Sequence, residues 1–513
     1  MALTATAQNT NTVRALSLRD CIDLALRHNL GLKIDRYTAE IARYGVTASY
    51  GGYDPAFRVD AAHQYDNMPQ YFRPDKANPD FGYTADSEIF GTGFKGKVPT
   101  GLTYDLAAHV VNFHNVKTFF QAPDPFELPN YGVPGAFGSA NPFLGVPTIR
   151  YANEYYMDAG LALKQPLLKD FWIDKERQNT QLQKNQLKAA EIGLRGSTMR
   201  VVTDVQLAYI EMLYARENIR VEQRALELAN QLLKETKSKV DAGQLTQLQE
   251  QQAQVHVETV TSDLISAEQL YAQQQNVIKQ LIGDDFNAWW GIEVNPTDRL
   301  IAIAEKPDRG ETIRNALTKR PDILQMQLAL ERQKIVVKYT YNQLFPSLDL
   351  LGSIGIRSAN RDIDRALEGL ADVANPYYGF GAQLTIPLGN TGPRANHKAS
   401  VLAREQALLQ LKLLENQVMA EVQSAVSIVD GSYRKVATTR RAREVREAAL
   451  VSAQKELGAG SATTLGVLQA LNDLTTAELN ELRALADYNR ARAQLAYGEG
   501  LTLDKNLINV QVK

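Results

Sequence analysis

The sequence contains a single cysteine and no long apolar run. Cys21 is the only cysteine in 513 residues, which excludes an internal disulfide bond and a metal site built from several cysteines. A charged pair precedes it in Leu18-Arg19-Asp20, unlike a lipoprotein cleavage site, so we interpret Cys21 as a residue on a helix face. No run of about 18 apolar residues occurs, which excludes a transmembrane helix.

The first residues, Met-Ala-Leu-Thr-Ala-Thr-Ala-Gln, lack the charged and apolar regions of a signal peptide. We therefore expect either a protein that is not exported or a mature chain with a new initiator methionine.

The charge balance and the scattered histidines argue against several functions. The chain has 56 Lys and Arg against 58 Asp and Glu, with no basic run interleaved with aromatics, so nucleic-acid binding is not expected. Its six histidines and seven methionines lack ligand spacing, so no metal site is expected. Residues 91–96 match G-x-G-x-x-G, but a turn follows instead of a helix, which indicates glycines in a strand. No nucleophile, base and orienting acid can be grouped. We predict neither an enzyme nor a cofactor.

A heptad pattern dominates the middle of the chain. No proline lies between Pro166 and Pro296, and the sequence predicts a helix from Lys175 to Asp241, 67 residues or roughly 100 Å at about 1.5 Å per residue. Gly243 suits a helix end, and a second helical run continues to about residue 282. The stretch is a long helical hairpin. Its apolar seam positions are Val205, Met212, Ile219, Leu226, Leu233 and Val240.

The hairpin occurs twice. A shift of 217 positions carries Gly243 onto Gly460 and Gly283 onto Gly500. A shift of 291 relates the preceding segments, for example Ala25-Leu26 to Ala316-Leu317. Such long internal repeats predict two halves, each with a shorter helix, strands, a long helix, a tip and a returning helix. The second seam is Val422, Val429, Val436, Arg443, Leu450 and Leu457, apolar in five of six places.

These patterns divide the chain into five segments. We expect a belt around the helices from the inter-repeat linker and the C-terminal tail together. The segments are a flexible tail (1–16), a first repeat (17–283) with an insert (67–154) and a hairpin tip near 241–246, a linker (284–310), a second repeat (311–500) with a tip near 458–463, and a C-terminal tail (501–513).

Four stretches of about ten residues alternate between apolar and polar side chains. They cover 57–65, 157–163, 348–356 and 378–386. Such alternation is typical of transmembrane β-strands, and also of half-buried strands in soluble sheets. The thin helical scaffold, the aromatic residues at the strand ends and the Gly-, Pro- and Asn-rich loops favour membrane strands. Four strands are too few to close a barrel, and an open edge cannot exist in lipid, so we expect the chain to oligomerise.

The insert between the first two of these strands holds a hairpin of its own, with strands near 88–97 and 102–110. These strands either add to the sheet or stand above the membrane as an extracellular lobe, and the sequence leaves both alternatives open.

Alanine recurs every seventh residue on the last helix. The residues Ala470, Ala477, Ala484 and Ala491 lie on one stripe, which predicts a close approach of neighbouring helices. Ordinary helix-favouring alanine is the alternative.

Several short motifs together carry a resemblance to a known family. They are Ala316 to Ile323, its counterpart Ala25 to Asn29, Phe345-Pro346-Ser347-Leu348, Gln165-Pro166-Leu167 and Ile386-Pro387-Leu388-Gly389. This ensemble resembles the TolC-like outer membrane efflux proteins over residues 17–66 and 155–500. The resemblance implies a mainly α fold with a transmembrane β portion, assembled as a homotrimer with a 12-stranded barrel and a 12-helix tunnel.

The resemblance also implies a function. We expect a passive exit duct of a tripartite efflux or type I secretion system, in contact with outer membrane lipid and extending into the periplasm of a Gram-negative bacterium. It would dock to a periplasmic adaptor and, through it, to an inner-membrane pump. The alternative is a soluble coiled-coil scaffold or a periplasmic adaptor. The expected docking tips are Gly243, Gln244, Leu245, Thr246, Gly460, Ser461, Ala462 and Thr463.

The periplasmic entrance departs from the family pattern. Relatives carry aspartates just beyond the second tip, where this chain has Gly466 and Gln469, and the equivalent position after the first tip is Gln249. The nearest acid on that helix is Asp473. The sequence therefore predicts an entrance without the usual acidic rings.

Overall fold

The computed structural model describes residues 12–68, 83–119, 149–459, 461 and 463–508. The helices are α1 (Leu18–His28), α2 (Leu30–Ser49), α3 (Lys175–Asp241), α4 (Gln247–Ile282), α5 (Arg309–Lys319), α6 (Pro321–Asn342), α7 (Ile363–Ala371), α8 (Thr391–Gly458), α9 (Thr464–Gly498) and α10 (Thr502–Lys505). The strands are β1 (Thr12–Leu16), β2 (Ala56–Met68), β3 (Tyr83–Lys97), β4 (Thr103–Phe119), β5 (Ile149–Pro166), β6 (Ile292–Pro296), β7 (Ser347–Asn360) and β8 (Asn375–Thr385).

The chain divides into two compact units. The helical unit comprises Met1–Ala42, Leu187–Ala329 and Ala407–Lys513, and the sheet unit comprises Arg43–Gln186 and Leu330–Gln406.

Two long helical hairpins are present, as predicted. Helix α3 has 67 residues and α8 has 68. Gly243 ends the first long arm with φ of +72°, a left-handed conformation that glycine adopts without strain. No helix in the described residues is both long enough and apolar enough to cross a membrane.

The internal repeat is confirmed by matching burial in its two halves. Ala25 and Leu32 are each 1% exposed, and their counterparts Ala316 and Ile323 are fully buried. Each residue packs against a long helix of its own half, so the same contact is built twice.

The predicted heptad seams are buried at about half of their positions, and the others are only partly buried. Val205 and Met212 are fully buried on α3, and Val429 is fully buried on α8. Arg443 interrupts the second seam, and its Nε lies 2.6 Å from Glu481 Oε2 on α9. The charged side chain is tolerated at a seam position because it has an acidic partner on the neighbouring helix.

The alanine stripe of α9 packs closely in its C-terminal part. Ala484 is fully buried and Ala491 is 4% exposed, in a cluster with Val429 and Val436 of α8. Ala470 and Ala477 are only partly buried. The structure therefore matches the prediction of close helix approach at the two C-terminal alanines.

A small parallel sheet and its neighbours form a collar, by which we mean β1, β6, α1, α10 and the parts of α3 and α4 that they contact. The Tyr209 hydroxyl of α3 lies 2.7 Å from the Asp298 carboxylate and 3.0 Å from the Leu16 carbonyl oxygen. Cys21 is fully buried in the same core, and burial raises the pKa of its thiol to about 12.

The collar corrects one prediction and agrees with another. The flexible tail predicted for residues 1–16 is wrong for its last five residues, which form β1 and pair with β6. Residues 1–11 lie outside the described part. The linker strand β6 and the C-terminal helix α10 both pack against the long helices, as the expected belt requires.

The sheet unit contains a six-stranded antiparallel sheet in the order β2-β3-β4-β5-β7-β8. The four predicted strands are β2, β5, β7 and β8. The described part of the insert supplies β3 and β4, which lie between β2 and β5 in the same sheet. The described part of the insert therefore adds two strands to the sheet, which was the first of the two alternatives. Residues 69–82 and 120–148 of the insert lie outside the described part.

We expect Ala484→Leu to destabilise the helical unit by about 1–3 kcal/mol, because the larger side chain must enter a packed seam. Ala437→Leu, at an exposed position of α8, is the matched control and should change stability by less than about 0.5 kcal/mol. Thermal unfolding followed by circular dichroism measures both. Equal effects of the two variants would show that the α8–α9 seam is not closely packed at Ala484.

Candidate functional site

One face of the six-stranded sheet carries charged side chains. Arg58 Nη1 lies 3.7 Å from Asp105 Oδ2, and Arg58 Nε lies 3.5 Å from Asp60 Oδ1. His109 Nδ1 lies 3.4 Å from Asp158 Oδ2, and both side chains are buried. These residues come from β2, β4 and β5 and point to the same side, because side chains two residues apart on a strand share a face.

Glycines make room for an aromatic ring on this polar face. Gly160 and Gly355 face each other across β5 and β7, and the Tyr377 ring from β8 lies over both. A Cβ at Gly355 would approach the ring to 2.5 Å, so only glycine fits beneath it. The Arg357 guanidinium stacks on the ring 4.1 Å from its centroid. The polar face is thus packed across strands from both repeats.

The opposite face of the sheet is apolar and exposed, except where α7 covers Met157 and Ser358. Its exposure is greatest on the edge strands, where Val59 is 72% and Phe380 is 82% exposed. Isolated exposed apolar residues are ordinary, but a continuous face of them marks a contact with lipid or protein. The large exposed residues of this face are Phe57, Val59, Tyr65, Phe90, Phe94, Leu106, Leu163, Leu350, Ile354, Tyr378, Phe380 and Leu384.

A charged cluster holds the turn between β3 and β4 against the start of α3. Lys97 Nζ lies 2.9 Å from Asp174 and 2.5 Å from Glu176. Arg177 donates from its backbone N–H and its Nε to Asp174, at 2.8 and 3.1 Å. Burial opposes ionisation of Asp174, but these cationic and hydrogen-bonding partners outweigh it and lower the pKa of the carboxyl group.

The first predicted docking tip is an exposed turn with a local cap. Gly243, Gln244 and Thr246 are exposed. The Thr246 backbone N–H donates to Gln249 Oε1 at 2.9 Å, which forms a capping box at the start of α4. Gln249, one of the predicted entrance residues, therefore has a local structural role.

The second predicted docking tip is also followed by a threonine cap, but without a capping box. Ser461 and Thr463 are exposed, and the Gly466 backbone N–H donates to Thr463 Oγ1 at 3.2 Å to cap α9. Gly466, a predicted entrance position, is thus part of the cap. The predicted tip residues Gly460 and Ala462 lie outside the described residues.

Of the remaining entrance candidates, Gln469 is exposed and Asp473 is paired. Asp473 forms an ion pair with Arg446 of α8. Asp473, the acid that the sequence suggested for the periplasmic entrance, is therefore paired with an arginine of the same chain.

Arg446 belongs to a row of arginines on α8 that the sequence analysis missed. Arg440 Nε lies 3.1 Å from Glu481 on α9, and Arg443 bonds the same carboxylate. The three arginines are spaced three residues apart and so project from neighbouring turns of one helix. The signal available in the sequence was this spacing, together with the charged residue at a seam position.

Among the described residues, no three His, Cys, Asp or Glu side chains are grouped as metal ligands.

The described residues form a sheet with one polar and one apolar face, and long helical hairpins with capped, exposed tips. These features define the class of the protein, a membrane channel subunit that combines β-strands with long helical hairpins.

The chain belongs to the outer membrane efflux protein family, whose model matches residues 148–284 and 312–497, more than half of the chain. The second matched range covers nearly all of the second repeat, whereas the first covers β5, α3 and α4 of the first repeat and excludes β2, β3 and β4. Membership confirms the predicted resemblance and class, an outer membrane efflux channel of Gram-negative bacteria that extends into the periplasm. It also confirms a transport protein rather than an enzyme, and it sets aside the soluble scaffold and the adaptor.

Individual relatives are distant. The pyoverdine export outer membrane protein OpmQ of Pseudomonas aeruginosa is 26% identical over 331 residues, which cover 64% of this chain and 66% of that protein, just under two thirds. TolC of Vibrio cholerae is 21% identical over 360 residues, which cover 69% of this chain and 79% of that protein.

The fold is shared with solved structures over nearly the whole chain. A crystal structure of a membrane protein from Pseudomonas aeruginosa matches with a TM-score of 0.64 and 19% identity, covering 96% of this chain and 92% of that chain.

We expect Asp174→Asn to destabilise the protein at neutral pH by about 3 kcal/mol, since it leaves Lys97 without one of its two acidic partners. Because the pKa of Asp174 is lowered from 3.8 in the folded state, its stabilising contribution is present above that value and is lost as the pH falls through the folded value. The thermal midpoint of the variant should thus depend less on pH below about 4.

The control for this experiment is Asp54→Asn, at an exposed position of the same unit. It should leave both the thermal midpoint and its pH dependence unchanged. If Asp174→Asn behaved in the same way, the junction cluster would have no stabilising role.

Proposed function

We propose that three copies of this chain form a passive conduit through which solutes leave the cell. The observation that carries the proposal is the open six-stranded sheet, polar on one face and apolar on the other, in a chain with two capped hairpin tips. A polar face suits a water-filled lumen, and an apolar face suits lipid. The energy for transport would come from the partner pump.

Open sheet edges support a trimer. Channels of the TolC-like family are trimeric. In the described part of this chain, β2 and β8 each pair on one side only, which leaves a row of backbone groups without partners. Such groups cannot remain unpaired in hydrocarbon, so other strands must cover them.

The helices connected to these edge strands carry matching apolar stripes. Helix α2, which precedes β2, exposes one stripe, and α8, which follows β8, exposes another. Apolar residues three, four or seven positions apart form the seams of helix pairs. Both stripes therefore support contacts between copies. They are Ile34, Tyr37, Ile41 and Tyr44 on α2, and Leu402, Leu409 and Leu413 on α8.

The hairpin tips are the proposed adaptor-docking surface. They are the far ends of both helical hairpins in chain order, whereas every strand of the six-stranded sheet is connected to the opposite ends of these helices. Thr246 and Thr463 are both N-cap residues with nearly the same backbone angles, φ of −89° and −92° and ψ of 153° in both, so the helix that returns from each tip begins in the same way. Three copies would offer six such turns in one ring.

The α8–α9 arginine pairs are the proposed lock at the entrance. Arg440, Arg443 and Arg446 join α8 to α9 through Glu481 and Asp473. Opening would shift a population between two packings of the hairpins, driven by adaptor contacts that favour the open one.

We expect cysteines introduced by Gln244→Cys or Ser461→Cys to crosslink to the cognate adaptor. Asp362→Cys, beyond the far end of β7, is the control and should not react with it. The native Cys21 can remain, because its buried thiol, with a pKa of about 12, is not reactive. Crosslinking only at position 362 would show that the tips are not the docking end.

We expect single-channel conductance to be only weakly blocked by divalent or trivalent cations from the periplasmic side. Gln249 and Gln469 are uncharged and Asp473 is paired with Arg446, so these proposed entrance positions supply no ring of free carboxylates. Gln469→Asp should introduce such block, whereas Gln469→Asn should not. Strong block of the unmodified channel would show that Asp473 or another acid lines the constriction.

A further inference from the structure

We infer that the β3–β4 hairpin is part of the barrel wall, so that each copy contributes six strands and three copies of six strands close a barrel of 18. In this arrangement β8 of one copy pairs with β2 of the next. The inference rests on the proposed trimeric channel. It changes the expected size of the barrel, because four strands per copy would give a barrel of only 12 strands.

Continuous backbone pairing carries the first step of the argument. Strand β3 pairs with β2 over the whole length of β2, from Ala56 opposite Lys95 to Met68 opposite Tyr83. Strand β4 then pairs with both β3 and β5, with Thr103 opposite Lys164. Among the described residues, β2 has no pairing with β5. The hairpin therefore separates the two strands that would be neighbours in a four-stranded protomer.

The faces of the hairpin match those of its neighbours. Phe94 of β3 packs on Phe57 of β2, with ring centroids 4.9 Å apart, on the exposed apolar side. On the other side, His109 of β4 pairs with Asp158 of β5. An extracellular lobe would have no reason to continue both faces in register.

Strand length points the same way. The inserted strands β3 and β4 have 15 and 17 residues, and the other four have 11 to 18. About 9–11 residues suffice to cross the hydrocarbon at the usual tilt. Both strands of the hairpin are thus long enough to span.

The turn of the hairpin is fixed at the helical end of the sheet. The Gly101 backbone N–H donates to the Val98 carbonyl at 2.9 Å, with Gly101 at φ of +90°. Lys97 binds Asp174 just before α3 begins, and the Gln165 side chain donates to the Thr100 carbonyl at 3.3 Å. The turn therefore lies at the level where β5 leads into a helix, which is the end opposite to an extracellular lobe.

The two free edges suit each other. Strand β2 leads away from the helical end and β8 leads back to it, so β8 of one copy and β2 of the next would be antiparallel, like every other pair in the sheet. Both strands start or end near that level, at Ala56 and Thr385. If these two residues lie opposite each other, Val59 faces Ala382, and both lie on the apolar face. The alternation of side chains and the apolar face would therefore continue from β8 of one copy to β2 of the next.

A barrel of 18 strands is wider than one of 12. Barrel diameter grows roughly in proportion to strand number, so the lumen would be about 1.5 times as wide, within the range of barrels that enclose an aqueous channel. The exit would then admit larger solutes than a 12-stranded exit, and the helical part would limit passage.

Paired cysteines test the inference in the detergent-solubilised protein. The variants combine Val59→Cys with Phe380→Cys, Ala382→Cys or Leu384→Cys, which covers three registers on the same face. After oxidation, at least one pair should link neighbouring copies into a covalent trimer, three times the 57.0 kDa chain mass. The control pair Leu106→Cys with Leu161→Cys, direct partners on β4 and β5, should link only within one chain.

Three outcomes separate the inference from the function on which it rests. A crosslink between Val59→Cys and Leu161→Cys would place β2 beside β5 and overturn the 18-stranded wall, while an intact trimer would preserve the proposed conduit. A crosslink between β2 and β8 within one chain would overturn the inference, because the sheet would close on itself. A monodisperse monomer by native mass measurement would overturn the trimeric conduit and the inference together.

Discussion

The need to pair every backbone N–H and C=O in hydrocarbon is the constraint on which this structure depends. A helix satisfies these groups by itself, whereas a strand relies on neighbours, and an open sheet always leaves two edges. The six-stranded sheet has its edges at β2 and β8. One chain is therefore incomplete as a membrane structure, and subunit contact belongs to its fold. The helices that adjoin these edges add a separate reason for subunit contact, because the exposed apolar stripes of α2 and α8 leave apolar surface to be buried.

The sequence predicted the features that repeat over short distances. The heptad seams, the alternating strands and the tips are all encoded by residues close together in the chain, so periodicity located α3, α8 and the strands β2, β5, β7 and β8. The strand β1 was missed because five polar and apolar residues have no pattern of their own and pair with β6, some 280 positions away. Strand β1 is held in place by its contacts in the collar, which no local sequence pattern predicts.

The ion pairs of the site were missed for the same physical reason. Lys97 and Asp174 come together only when the β3–β4 turn reaches α3, and Arg446 meets Asp473 only when α8 and α9 pack. Side-chain partners far apart in the chain depend on register, which sequence patterns leave open. The same holds for the insert, whose two strands were visible but whose place in the sheet required the observed pairing.

Burial along the helical unit is complete in the collar and mixed near the second tip. The collar residues Tyr209 and Met212 are almost completely buried, whereas near the second tip Val467 and Leu471 are buried but the seam residue Leu457 is only partly buried. The Arg446–Asp473 pair is the more exposed of the α8–α9 arginine pairs, with side chains 53% and 35% exposed, and exposed ion pairs contribute only about 0–1 kcal/mol each. Breaking this pair would cost at most about 1 kcal/mol, which is small beside the contact free energy of a protein partner. In the proposed assembly, an adaptor at the tips would act on the end of the hairpins that lies away from the collar, and such an exposed ion pair would resist it only weakly.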